Sequence, residues 1–158
     1  MNGGEQGHGA GDYGWCRRIQ SMPFTWPSRV RFADTDASQR IHFTAMLRHF
    51  EAAEIEFLRS LGLLHKDASV SAVNFPRVHV ECTYTSMVQY DDLLNIAVRV
   101  ERVGNSSYKL AFEAHVDERL VAQGFVTVVC VDTSTARSRP LPPELSEALK
   151  KSREAEGE

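Results

Sequence analysis

The chain has 158 residues, 42% hydrophobic and 25% charged, the balance of one globular domain rather than of a disordered or fibrous chain. Lys and Arg number 18 against 21 Asp and Glu, a net charge of −3, so no basic excess points to nucleic acid. The longest strongly apolar run, 125–131, falls far short of the ~20 residues a membrane helix needs.

Three cysteines, Cys16, Cys82 and Cys130, lack CxxC spacing and a histidine cluster. That argues against a zinc site and for a reducing compartment. Six of the ten glycines fall in the first 14 residues. Residues 1–20 therefore read as a flexible Gly-rich tail, without the basic and apolar regions of a signal peptide. The expected location is the cytoplasm. A single folded domain is expected over 21–141, then a charged C-terminal tail over 142–158 with at most a short frayed helix.

In chain order, a first strand is expected from Ser28 to Ala33. A helix follows from about Thr44 to Leu61, where Leu47, Phe50, Phe57 and Leu61 recur at helical spacing and no Gly or Pro intervenes. Gly62 suits the left-handed position that ends a helix. Glu54 stands on the apolar stripe where a leucine is expected. Strand alternation then appears at Val78, Val80, Cys82 and Tyr84, and again at Leu94, Ile96, Val98 and Val100. It returns at Tyr108, Leu110, Phe112, Ala114 and Val116. Gly104-Asn105-Ser106-Ser107 and Asp117-Glu118 read as turns. The run from Leu120 to Val131 is apolar on both faces, with a bulge or bend expected at Gly124. The order is one strand, one long helix, then four strands in antiparallel succession. This is an α+β pattern in which a curved sheet of about five strands wraps a central helix. One helix leaves part of such a sheet uncovered, so dimerisation by sheet extension is expected.

The segment Arg29-Val-Arg-Phe-Ala-Asp34-Thr-Asp36-Ala-Ser-Gln-Arg-Ile-His42-Phe43-Thr44 concentrates chemistry. It brings a carboxylate, an imidazole and the free N–H groups of a helix start together. A carboxylate serves as base or nucleophile. A helix N-terminus stabilises an oxygen gaining negative charge. These are the parts needed for acyl transfer. The plain alternative is that Asp34 or Asp36 caps a turn and His42 is a loop histidine.

Val30-Arg31-Phe32-Ala33-Asp34-Thr35-Asp36-Ala37, then Leu47-Arg48-His49-Phe50-Glu51-Ala52-Ala53 and Glu56-Phe57-Leu58, resemble the 4-hydroxybenzoyl-CoA thioesterase-like family of hotdog-fold acyl-CoA thioesterases. Tyr90-Asp91-Asp92, Gly104-Asn105-Ser106-Ser107 and Val131-Asp132 with Pro140-Leu141-Pro142 extend the likeness across about 24–142. The resemblance implies a hotdog fold and hydrolysis of an acyl-CoA, with an acyl-carrier-protein thioester as the other substrate. It implies a homodimer or homotetramer with a shared site, and no cofactor or metal. It implies Asp36 as the catalytic carboxylate, with the N–H of Phe43 polarising the thioester carbonyl. His42 would orient water or the carboxylate, Thr44 to Met46 would line the acyl pocket, and Asn105, Ser106 and Ser107 would meet the pantetheine arm. This chain departs from the family at Gln39, where glycine is usual, at Phe32, where tyrosine is common, and at Glu54, where arginine is common. The histidine at the helix start also stands one place early. A hotdog dehydratase and a non-catalytic acyl-binding protein are the rival readings.

Among the remaining candidates, Glu54 is either an alternative base or a rim residue paired with Arg48, His49 or Arg59. His49, His65, His79 and His115 are expected at the surface, and Cys82 and Cys130 in packing roles. Arg99, Arg102 and Lys109 are weaker candidates for CoA phosphates.

Overall fold

The protein is described by a computed structural model over residues 23–63 and 72–156. The expected N-terminal tail, Cys16 and His65 lie outside the described residues.

The order is β1 (Phe24–Arg29), α1 (Ala45–Ser60), β2 (Val73–Asn74), β3 (Arg77–Tyr84), β4 (Leu93–Val103), β5 (Ser107–Val116), β6 (Arg119–Val129), β7 (Val131–Asp132) and α2 (Pro143–Ala155). The main sheet is antiparallel with order β1-β4-β5-β6-β3, and β2 pairs with β7 in a small second sheet. This is the hotdog arrangement, with α1 against β1 and β4. In β4 and β5 the alternation read from sequence is the burial pattern observed, whereas β3, which alternates in sequence, is exposed along most of its length. Leu94, Ile96 and Val98 of β4 and Leu110, Phe112 and Ala114 of β5 are buried together with Ala45, Met46, Phe50, Ala53 and Phe57 of α1. Phe50 stacks on Phe112 with ring centroids 4.9 Å apart, a contact worth about 0.5–1.5 kcal/mol beyond its buried area. Gly62, at φ +72°, ends α1. Its N–H donates to the Arg59 carbonyl and the Leu63 N–H to that of Leu58, so the last orphan carbonyls are satisfied.

Five expectations change. The first strand runs over Phe24–Arg29, not 28–33. Pro27 sits inside it without loss, because β1 is an edge strand and needs donors on one side only. Beyond Arg29 the chain turns into a single 3-10 turn, Phe32–Asp34. The last four long strands do not pair in succession: β3 crosses to the far edge and pairs with β6. Gly124 is not a bulge, since it lies in regular register between Phe112 and Cys82. A Cβ there would stand 2.3 Å from the Glu81 carbonyl and 2.9 Å from Phe50 Cε2, so close packing dictates glycine. Residues 142–158, read as a charged tail, contain α2. Leu145 and Leu149 are buried and the helix packs on β4. Two leucines four apart suffice to seat one helix face while Lys150 and Lys151 stay exposed. Finally His49, expected at the surface, is buried.

The apolar surface left outside the core is concentrated. Phe32 is 80% and Phe43 72% exposed, and β3 presents Val78 and Val80 at 59% and 44%. As an edge strand β3 also leaves one row of backbone groups without a strand partner among the described residues.

Candidate active site

The loop between β1 and α1 folds back on itself. Thr35 forms an antiparallel bridge with Ile41. The Asp36 N–H donates to the Arg40 carbonyl at 2.9 Å, and the His42 N–H to the Asp34 carbonyl at 2.7 Å. Asp34 and Asp36 therefore lie across from His42 and Arg40, immediately before the helix. The corner of this hairpin is Gln39 at φ +63°. The turn requires the left-handed conformation that glycine adopts freely, and the glutamine takes it at a cost of about 1–3 kcal/mol.

The two aspartates have opposite surroundings. Asp36 is exposed. The Ser38 N–H and hydroxyl both donate to its Oδ1, at 2.8 and 2.5 Å. Those two bonds, the hydroxyl first, hold its carboxyl below the usual range, and His42 adds to the effect. No hydrogen bond of the described residues falls on Oδ2. Asp34 is only 8% exposed. Burial works against its charge, but the Arg31 N–H, Arg48 and His49 outweigh it and hold the carboxyl low.

The helix start has the chemistry expected of it. Among the described residues the Phe43 N–H meets no acceptor. The Ala45 N–H donates to the His42 carbonyl at 2.8 Å, and the Thr44 N–H to His42 Nδ1 at 3.3 Å. Thr44 Oγ1 lies 2.8 Å from the same nitrogen, so Nδ1 serves as the acceptor and the imidazole proton falls to Nε2. The Phe43 carbonyl accepts from the Tyr84 hydroxyl, which ties the end of β3 to the start of α1. Burial, together with Cys82, pushes the Tyr84 hydroxyl well above its ordinary range, so it remains a donor.

A groove of about 660 Å³ opens beside Asp36, lined by Phe32, Thr35, Asp36, Ala37, Gln39 and Tyr90. The Phe32 and Tyr90 rings meet edge to face with centroids 6.1 Å apart. Sequence reasoning missed both rings as site residues, although Phe32 precedes the Asp-x-Asp and Tyr90 stands in a quoted motif.

The other predicted positions do not gather here. Met46 is fully buried among the core residues, because it faces the sheet one turn into α1. Thr44 is exposed beside His42. Asn105 and Ser106 lie in the β4–β5 turn and Ser107 opens β5. Strand β1 leaves β4 at Leu93, whereas that turn follows Val103, so roughly 30 Å of strand separates them from the Asp36 loop within one chain. Their backbone is engaged there: Asn105 and Ser106 carbonyls accept from Leu141 and Cys130. Arg99 pairs with Glu113 and Lys109 lies over the Phe125 ring, so neither stands free for a phosphate. Glu54 is 2% exposed and accepts from Arg77 at 2.8 Å, a partner outside the three expected. Burial pushes its carboxyl up despite Arg77.

The thioesterase-like superfamily profile matches residues 30–149. The chain is 31% identical over 138 residues to the 1,4-dihydroxy-2-naphthoyl-CoA hydrolase of Nostoc punctiforme, covering 86% of this chain and 93% of that protein. It is 28% identical over 122 residues to the acyl-CoA thioester hydrolase YbgC of Escherichia coli, covering 75% and 90%. In fold it is similar to a 1,4-dihydroxy-2-naphthoyl-CoA thioesterase from Synechocystis, with a TM-score of 0.76 at 23% identity over 80% of this chain and 95% of that one.

Proposed function

This chain belongs to the thioesterase-like superfamily, and from that premise we propose that it hydrolyses acyl-CoA thioesters at the Asp36 loop. Acyl-CoA thioester hydrolysis is the activity of its named relatives. The observation that carries the assignment of the site is the pairing of an ionised, exposed carboxylate with an unoccupied N–H at a helix start. Asp36 lines the groove, and among the described residues no hydrogen bond falls on its Oδ2. The Phe43 N–H, with the positive end of α1 behind it, meets the thioester oxygen as charge develops there. Asp36 then removes a proton from attacking water or attacks the carbonyl itself. His42, its proton on Nε2, orients the water or the carboxylate, and Thr44 holds the ring through Nδ1.

The acyl group in this reading is aromatic. Phe32 and Tyr90 give the groove two exposed ring walls beside the carboxylate, and several relatives are named for a naphthoyl thioester. The Asp34-Thr-Asp36 and Phe50-Glu51 motifs support a place beside the 4-hydroxybenzoyl-CoA thioesterase-like branch.

The working form in this reading is at least a dimer joined at β3. A second copy antiparallel to β3 covers Val78, Val80 and Phe43. It also brings the opposite end of its own sheet, with Asn105, Ser106 and Ser107, to the helix start, because Tyr84 ties that start to the β3 end. No helix of the described residues is long and apolar enough to cross a membrane. The free Cys82 and Cys130 suit a reducing cytoplasm.

A thiol-release assay over acetyl, medium-chain, long-chain and aromatic CoA esters tests this, with aromatic esters expected to give the highest kcat/KM. Absence of thiol release from every ester would remove the reading. Conversion of a hydroxyacyl ester without thiol release would favour the dehydratase instead. Sedimentation as a monomer at micromolar concentration would remove the shared site.

A further inference from the structure

One buried polar cluster remains outside that mechanism. Asp34 Oδ1 accepts from Arg48 at 2.9 Å, and its Oδ2 from the Arg31 N–H at 2.8 Å. His49 Nε2 lies 3.3 Å from the same Oδ2. That contact falls short of an aligned hydrogen bond, and among the described residues no other group meets this buried nitrogen. His49 Nδ1 lies 2.7 Å from the half-buried Ser28 hydroxyl. With the proton on Nε2 facing a carboxylate, Nδ1 accepts from Ser28. Burial lowers the His49 pKa despite the pull of Asp34, so the ring is neutral at pH 7. A row of Ser28, His49 and Asp34 thus joins β1, α1 and the loop. The same Asp34 also accepts, through its carbonyl, from the His42 N–H.

Asp34 therefore touches both the loop that carries Asp36 and the helix α1. Its carboxylate grips α1 at Arg48 and His49, one turn past the helix start, while its carbonyl holds His42, the residue before Phe43. Asp36 follows two residues on. We infer that Asp34, clamped by Arg48 and by His49, is a positioning residue that sets Asp36 against the Phe43 N–H. This rests on the roles given to Asp36 and Phe43 above. The clamp neither touches the groove nor lines it. Removing it leaves substrate contacts intact but lets the carboxylate drift from the carbonyl, and small displacements of a reacting group cost up to about 10²-fold in rate.

The test compares kcat, KM and melting temperature of Asp34→Asn, His49→Phe and His49→Gln with the unaltered chain, using an aromatic CoA ester. Glutamine places an N–H near the Nε2 position and phenylalanine does not. Expected are a kcat lowered roughly 10–100-fold in Asp34→Asn with KM within about threefold. For His49→Phe a loss of about tenfold is expected, largely restored in His49→Gln. An Asp34→Asn enzyme with normal kcat overturns the inference. So does an equal loss in the two His49 variants, which marks the ring as packing alone. If Asp34→Asn does not fold, the His49 pair carries the test, since it leaves the Arg31 and Arg48 contacts in place. Asp36→Asn is assayed alongside. Full activity there removes the group being positioned and sinks the underlying reading, whereas its loss beside an intact Asp34→Asn sinks only the positioning role.

Discussion

The loop before α1 and the middle of α1 carry two carboxylates with opposite fates. Asp36, just before the helix, is exposed and held ionised by Ser38. Glu54, in the third turn, is sealed in the core with burial raising its pKa and only Arg77 opposing. A raised pKa alone would nominate Glu54 as the base. Access decides otherwise: among the described residues Glu54 is sealed in the core, and its Oε1 is already occupied by Arg77. A shifted pKa marks a functional group only where a substrate can reach it.

The sharpest way to break this comparison is to neutralise each carboxylate. Asp36→Asn is expected to lower kcat roughly 10²–10⁴-fold with KM little changed, measured by thiol release. Glu54→Gln is expected to keep kcat within about threefold, since the amide still accepts from Arg77. The reverse pattern would move the base onto the helix.

Next in size is Arg77→Met, which leaves Glu54 buried without its cation. Breaking a fully buried pair costs about 3–5 kcal/mol. Arg77 is 38% exposed at its side chain, so solvent screening reduces the expected loss to about 1–2 kcal/mol. The sign of its pH dependence follows from the direction of the shift. A carboxyl whose folded pKa is raised favours folding below its unfolded pKa, near 4.3, and loses that contribution as pH rises through the folded value. Without Arg77 the folded pKa rises further. The variant's deficit is therefore expected to be larger at pH 8 than at pH 4.5 in urea titrations. A deficit independent of pH would show that Glu54 does not titrate in that range.

A third test acts on the backbone that presents Asp36. Gln39→Gly relieves a left-handed residue and is expected to raise stability by about 1 kcal/mol. Retention of kcat would show that the glutamine side chain plays no part in the groove. A loss of stability would mean that Gln39 makes compensating contacts.

What could be read beforehand divides along lines of sequence distance. The stripe of α1 and the alternation of β4 and β5 are local patterns, and the residues that carry them are the buried ones. Asp36, His42 and the helix start were legible for the same reason, being packed into nine residues of chain. The partners of Asp34 were not. Arg48 and His49 reach it across 14 and 15 residues, and Ser28 reaches His49 across 21, and His49 on a charged stretch of helix carries no local sign of burial. Strand pairing is equally non-local, so nothing in β3 itself announces that β6 lies beside it. Gly124 reads as a bulge because the close approach of the Glu81 carbonyl belongs to another strand.

The smallest effect expected at neutral pH comes from Ser38→Ala, and it bears directly on why the Asp36 carboxyl is held below its ordinary range. Both Ser38 bonds fall on one carboxylate oxygen, and the mutation removes the hydroxyl bond while leaving the N–H in place. The hydroxyl is the larger contributor to the lowered pKa, so the folded pKa of Asp36 rises towards its ordinary value. The active form is the anion. If Asp36 has the proposed role, kcat of the unaltered enzyme is expected to stay flat down to a pH below the usual carboxylate range and to fall only there, and in Ser38→Ala the fall is expected to begin at higher pH. The neutral plateau is expected to stay within about twofold, because the free Oδ2 is the oxygen that does the chemistry and Ser38 does not touch it. A pH profile of kcat for an aromatic CoA ester reads both quantities. An acid limb that stays in place would mean that the hydroxyl bond does not tune Asp36. A collapsed plateau would mean that Ser38 holds the carboxylate in its working orientation, and that the turn, not only the charge, belongs to the catalytic apparatus.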